Sequence, residues 1–194
     1  MTLSDDASTP LECHTGHAGP LFPNTGFPGH RHKTAITRVY FASRQLAESL
    51  DGRPDIAIIS ITDPGTPDAR LSDNFHSILR LQFFDAVPAD EYLPAPHGLF
   101  DRIMAREVSN FVQALGASEQ PVGVLVHCEY GISRSAAVAL FVEAWSGEPL
   151  EAREFACEAN EWVIDRLLDL HPDLEIETPP KTAIHDRRAK PRLS

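Results

Sequence analysis

Residues 124–135 read Val-Leu-Val-His-Cys-Glu-Tyr-Gly-Ile-Ser-Arg-Ser, and this stretch decides the fold. An apolar, β-branched run ends in His127 and Cys128. A short loop with one glycine, Gly131, leads to Arg134 and Ser135, and then to the apolar run Ala136–Val142. A strand, a tight loop and a helix N-terminus in this order gather several backbone N–H groups around one point. Such a point favours a phosphate-sized dianion. Cys128 lies beside it.

Working outward, the pattern predicts strands over 38–41, 55–61, 77–83 and 122–126. Ser43 is placed to N-cap a short helix over 44–50. Phe100, Ile103, Met104, Val108, Phe111, Val112 and Leu115 follow the helical period, which predicts an amphipathic helix over 98–116. A helix over 134–146 follows the loop, and Gly147-Glu148-Pro149 ends it. Phe155, Ala159, Trp162, Val163 and Leu167 predict a last helix over 150–170. Strands alternating with helices imply an α/β fold. Its central sheet is mostly parallel, with four to five strands and helices on both faces.

Residues 1–35 are rich in Pro, Gly, His and Thr without periodicity and read as a flexible N-terminal arm. The domain then spans 36–170, and the Pro-rich, charged residues 171–194 read as a C-terminal tail. His14, His17, His30 and His32 with Cys13 match no metal-ligand spacing.

The bulk composition excludes some functions. Seventeen basic against 28 acidic residues give a formal charge of −11, a poor surface for nucleic acid or an anionic membrane. No apolar run approaches the roughly 20 residues that span a bilayer. No basic-then-apolar leader is evident at the N-terminus. The three cysteines, Cys13, Cys128 and Cys157, are widely spaced and form no CxxC pair. That speaks against a disulfide framework and for a free thiol in a reducing, cytoplasmic setting.

The loop residues suit anion chemistry. A free thiol has a pKa near ~8.5 and is mostly idle at neutral pH. Lowering it by about 3 units takes roughly 4 kcal/mol of differential stabilisation. Loop dipoles and Arg134 are the candidate sources. The planar fork of Arg134 can also grip two phosphate oxygens. Gly131 lets the backbone turn its N–H toward the anion. Ser135 can donate its hydroxyl to the Cys128 sulfur. His127 is better suited to bracing the loop than to acting as a base. A buried strand-end cysteine is usually structural. It is the combination of Cys, Gly, Arg and Ser at these offsets that favours chemistry.

His127–Ser135 resembles the HC-x5-R-[ST] signature of the cysteine-dependent protein tyrosine phosphatase superfamily. The ending Gly-Ile-Ser-Arg-Ser is most similar to the dual-specificity and related bacterial branch. Softer similarity extends over 36–170. The resemblance implies a phosphomonoester hydrolase that dephosphorylates phosphotyrosine, with phosphoserine and phosphothreonine as further substrates. Its partners would be a phosphotyrosine-containing protein or a small phosphomonoester. Cys128 would be the nucleophile, Arg134 the phosphate clamp, and Ser135 an aid to phospho-enzyme hydrolysis. The main-chain N–H groups of Glu129, Tyr130, Gly131, Ile132, Ser133 and Arg134 would cradle the phosphate. No metal or other cofactor is implied.

The resemblance also asks for a general acid. Asp85 follows the strand 77–83 and is the first choice, with Asp90 in the same loop as the alternative. Residues 86–97 read as an insertion relative to compact dual-specificity phosphatases. Asp101 reads as a helix-start residue, and Asp63 as a turn residue before Pro64. Glu129 weighs against inositol phosphates, and Tyr130 either stacks on an aryl phosphate or packs. Cys157 reads as a buried helix residue, with protection of Cys128 from oxidation as the alternative. Two other functions stay open: a module that binds phosphotyrosine without hydrolysis, and a rhodanese-like sulfurtransferase or arsenate reductase.

Overall fold

The computed structural model describes residues 34–88 and 96–181. The proposed N-terminal arm up to residue 33, Asp90 and the end of the proposed C-terminal tail lie outside the described residues. Among the described residues, four strands form one sheet: β1 (Ile36–Ser43), β2 (Ile56–Thr62), β3 (Ser77–Gln82) and β4 (Val122–Cys128). Their order is β1-β4-β2-β3, and every pairing is parallel. The sheet runs at the four-stranded end of the expected range. β4 is central and all seven of its residues are buried, as a near-continuous apolar run should be.

Side chains alternate across the sheet. One set (Ile36, Val39, Ala57, Ile59, Ile61, Leu81, Val122, Val124, Val126) joins the main core. The long helices α2 (Arg102–Gly116) and α3 (Arg134–Ser146), with α4 (Glu161–Leu168), contribute to the same core. The opposite set (Ala42, Ile58, Leu125) forms a smaller cluster with Phe75, and Leu71 packs against it. The short helix α1 (Arg44–Glu48) adjoins β1 and β4. The layers on the two faces are therefore unequal.

Helix α3 is buried at every position from Arg134 to Val142. A helix apolar all round belongs in an interior, and α3 contacts β1, β4, α2 and α4. Burying a side chain such as Leu140 or Phe141 contributes roughly 1.5–3 kcal/mol. The packing fixes the start of α3, and with it the loop that precedes it. Helix α2 starts where Asp101 accepts N–H bonds from Ile103 (2.8 Å) and Met104 (2.9 Å), four residues later than the pattern predicts.

The predicted helix over 150–170 is not continuous. Leu150 bridges Val39, Ala152 is left-handed (φ 56°), and a 3-10 helix covers Arg153–Glu158. Ala159 and Asn160 are extended, and Asn160 caps α4 by accepting from the Val163 N–H at 3.2 Å. The apolar spacing survives the break, which is why periodicity alone misses it. The chain after α4 also departs from the expected tail. His171 Nε2 lies 2.7 Å from Ser109 Oγ, Leu174 and Ile176 pack on the core, and Arg153 donates to the Glu177 carbonyl at 2.6 Å. The packed domain therefore extends beyond residue 170. No described helix is long and apolar enough to cross a membrane.

Because all strands are parallel, their C-terminal ends share one edge. Ser43 pairs with Cys128, Ser60 with His127, and Thr62 with Gln82. Whatever follows each strand is brought to that edge: Arg44 after β1, Asp63 after β2, Phe83 to Asp85 after β3, and the loop 129–133 after β4. Ligand crevices of open α/β sheets lie along this edge.

Candidate active site

Alternation separates the two residues that end β4. Cys128 faces the main core and the start of α3, while His127 points to the opposite face beside Ser60 and Ala42. Cys128 is 2% exposed, and its Sγ lies 3.2 Å from Ser135 Oγ. Burial pushes the thiol pKa up. Hydrogen bonds from the Ser135 hydroxyl and from the N–H groups of Ser135, Ile132 and Gly131 outweigh it, and the net shift is downward. The loop thus gathers several donors on one sulfur, a place for an anion.

Gly131 has φ 71°, and a Cβ there would collide with the backbone of Ala42 and Ser43. The loop therefore lies directly on the end of β1, where Arg44 N–H donates to the Glu129 carbonyl at 3.3 Å. The Glu129 carboxylate stands 3.6 Å from Arg44 Nη1, so its charge is partly balanced. Tyr130 and Ile132 are exposed.

Arg134 is 3% exposed, which makes its partners decisive. Nη1 donates to Asp63 Oδ1 at 2.6 Å and to the Phe83 carbonyl at 2.6 Å. Nε is buried and makes no hydrogen bond among the described residues, and Asp85 Oδ2 is 4.0 Å away. A buried donor left without a partner costs about 1–3 kcal/mol. An oxyanion bound over the loop would supply the missing acceptor. Asp63 does close a turn, its carbonyl accepting from Thr66 N–H at 3.0 Å, as the sequence predicts. Its carboxylate has the further task of holding Arg134, a contact that sequence reasoning missed. The available signal was its position at a strand's C-terminal end.

Asp85 meets the loop. Its Oδ1 accepts from Ser133 Oγ at 2.7 Å and from Asn160 Nδ2 at 2.8 Å. Ser133 sits at the N-cap position of α3 without capping it, because its hydroxyl is turned to Asp85. Asn160 is buried at the N-cap of α4. Sequence reasoning missed it too, since a helix drawn through 150–170 leaves no cap at 160. Cys157 is free and buried within the 3-10 helix.

His127 is fully buried, and neither ring nitrogen makes a hydrogen bond of good geometry among the described residues. Burial pulls its pKa down to about 4, against a smaller upward pull from the Cys128 main chain. A neutral ring on the far face of β4 is no base for Cys128.

No family model matches the chain, and no curated protein matches it. Solved structures do. The chain is similar to human DUSP28, at 16% identity over 76% of this chain and 82% of that one, with a TM-score of 0.36. A point variant of human DUSP28 gives 15% identity, 79% and 86% coverage, and 0.37. A mouse candidate dual specificity phosphatase complexed with zinc tungstate gives 17%, 69% and 67%, and 0.28. At these values the chemistry has to be drawn from the loop itself.

Proposed function

We propose that the protein hydrolyses phosphate monoesters through a phospho-cysteine intermediate, with phosphotyrosine as its main substrate class. One observation carries the reading. The Ser135 hydroxyl and the N–H groups of residues 131, 132 and 135 converge on Cys128 Sγ, and the buried Arg134 of the same loop has an Nε without an acceptor among the described residues. The signature His127–Ser135 and its resemblance to cysteine-dependent phosphatases support it.

The reaction runs in two displacements. The Cys128 thiolate attacks phosphorus, forming the S–P bond as the P–O bond to the leaving group breaks. Asp85 gives a proton to the departing oxygen. Arg134 and the loop N–H groups hold the equatorial oxygens as charge builds on them. Water then attacks phosphorus, Asp85 takes its proton, and the P–S bond breaks. The Ser135 hydroxyl donates to the departing sulfur. A thiolate nucleophile has to stay reduced, which fits the cytoplasm.

The rim supports an aryl phosphate. Tyr130, Ile132 and Phe84 are exposed apolar groups on the two segments joined by the Ser133–Asp85 bond. Asp63, Asp85 and Glu129 put carboxylates at the same edge, which disfavours polyanions such as inositol phosphates. Asp85, held on the loop, favours hydrolysis over mere binding.

Hydrolysis of 4-nitrophenyl phosphate and of phosphotyrosine, phosphoserine and phosphothreonine peptides tests the proposal. Cys128→Ser should abolish turnover on all of them. Turnover that survives this change rejects the mechanism. Thiosulfate-dependent consumption of cyanide without phosphate release would identify a sulfurtransferase instead.

A further inference from the structure

Three residues from distant parts of the chain close a ring of hydrogen bonds. The Ser133 hydroxyl donates to Asp85 Oδ1 at 2.7 Å, Asn160 Nδ2 donates to the same oxygen at 2.8 Å, and Asn160 N–H donates to the Ser133 carbonyl at 3.3 Å. We infer that Asn160 is a positioning residue for the general acid: it fixes Asp85 on the phosphate loop and selects the carboxyl oxygen that carries the proton. This rests on the acid role proposed for Asp85.

The orientation of the Asn160 amide is not free. Its Oδ1 is engaged by the Val163 N–H at 3.2 Å, the cap of α4. An N-cap needs an acceptor at that point, so the NH2 group has to face Asp85. Two donors then meet on Asp85 Oδ1. An oxygen that accepts from two donors is a poor place for a proton, so in the neutral acid the proton sits on Oδ2. Oδ2 is the oxygen turned toward Arg134 Nε, 4.0 Å away, and so toward the group that grips the phosphate. Asp85 is exposed in the segment after β3, and the bonds from Ser133 and Asn160 hold its carboxylate. Asn160 is buried, and α4 ties it to the core. The buried partner therefore orients the exposed one, as pre-organised sites require.

The test separates cap from donor. Asn160→Ser keeps a good N-cap, because serine caps as well as asparagine, but it is too short to reach Asp85. Asn160→Asp also keeps the cap and replaces the donor with a carboxylate. Rates are measured with 4-nitrophenyl phosphate, whose leaving group departs without much help, and with phenyl phosphate, whose leaving group needs the proton. Both variants should lower kcat/KM for phenyl phosphate about tenfold more than for 4-nitrophenyl phosphate, a part of the roughly 10²–10⁴-fold that general acids supply. Inhibition by inorganic phosphate should keep its constant in Asn160→Ser, since Arg134 and the loop remain and no charge is added. In an Asp85→Asn background the selective loss should disappear.

Equal losses on both substrates, or a selective loss that persists without Asp85, would overturn the positioning role. If Asp85→Asn itself falls equally on both substrates, Asp85 is not the acid, and the assignment beneath this inference fails first. Thermal unfolding of each variant checks the fold; should Asn160→Ser be unstable, Asn160→Thr, a neutral cap equally short of Asp85, carries the decision.

Discussion

Arg134 and Asp63 form a lopsided pair: the guanidinium is 3% exposed, the carboxylate 44%, and Nη1 and Oδ1 are 2.6 Å apart. Half-exposed charges are screened, so the pair adds little to stability by attraction alone. Its value is directional. With Nη1 committed to Asp63 and to the Phe83 carbonyl, the guanidinium cannot swing, and Nε bonds neither acceptor. The residues that follow β2 and β3 supply these two acceptors, and α3 supplies the arginine.

Asp63→Ala should therefore weaken phosphate binding. The expected change is about tenfold in KM for 4-nitrophenyl phosphate and in inhibition by inorganic phosphate, the size of one charge-assisted hydrogen bond. Asp63→Asn keeps an acceptor and should recover part of that loss. Unchanged constants in Asp63→Ala would mean that the Phe83 carbonyl suffices.

The sulfur makes its own prediction. Burial opposes the thiolate and the loop donors favour it, and the donors win. Alkylation by iodoacetamide should then have its midpoint below the ~8.5 of a free thiol. Ser135→Ala removes the hydroxyl donor at 3.2 Å and should move the midpoint upward. The same variant should slow release of phosphate from the phospho-enzyme more than its formation, which burst kinetics resolves.

Two left-handed glycines allow a controlled comparison. Gly131 has φ 71° with the Ala42 and Ser43 backbone in the way of a Cβ, whereas Gly147 has φ 74° with open space around it. Gly147→Ala should cost only the left-handed penalty of about 1–2 kcal/mol and leave turnover near the parent level. Gly131→Ala has to displace either the loop or the end of β1. Turnover should fall at least 100-fold, about 3 kcal/mol of transition-state stabilisation. Crystals of Gly131→Ala with an unmoved loop would contradict this.

The parts of this architecture that a sequence shows are those set by local pattern. The buried strands, Ser43 and Asp101 as caps, and the strand-loop-helix around Cys128 are each written in neighbouring residues. The run from Ala136 to Val142 is apolar throughout, so its burial is legible as well. What stays hidden depends on strand order. Asp63 reaches Arg134 only because β2 lies next to β4, and nothing within residues 60–66 encodes that neighbour. Asn160 reaches Asp85 across 75 positions, through a helix break that leaves the apolar period intact. The failure is the same in both cases: a polar residue with a sound local role, turn or cap, has a second partner supplied by topology.

The alternation of β4 leads to a last prediction, about acid stability. His127 lies on the face away from Cys128, fully buried, with a folded pKa of about 4 against an ordinary value of 6.5. Between these values the unfolded chain binds a proton that the folded one refuses. Stability therefore falls as pH drops through this window, and the loss is complete only below the folded value. The full difference is worth about 3 kcal/mol, of which roughly 2 kcal/mol should be lost between about pH 7 and pH 5. His171, half-buried and also shifted down, acts in the same direction, so the total slope does not identify His127. The comparison that does is urea unfolding of the parent and of His127→Leu at both pH values. The leucine fits an apolar site and has nothing to titrate, so the pH-dependent loss should shrink by that amount in the variant. An equal loss in both proteins would mean that the ring takes up its proton inside the fold, and that the buried face of β4 admits water.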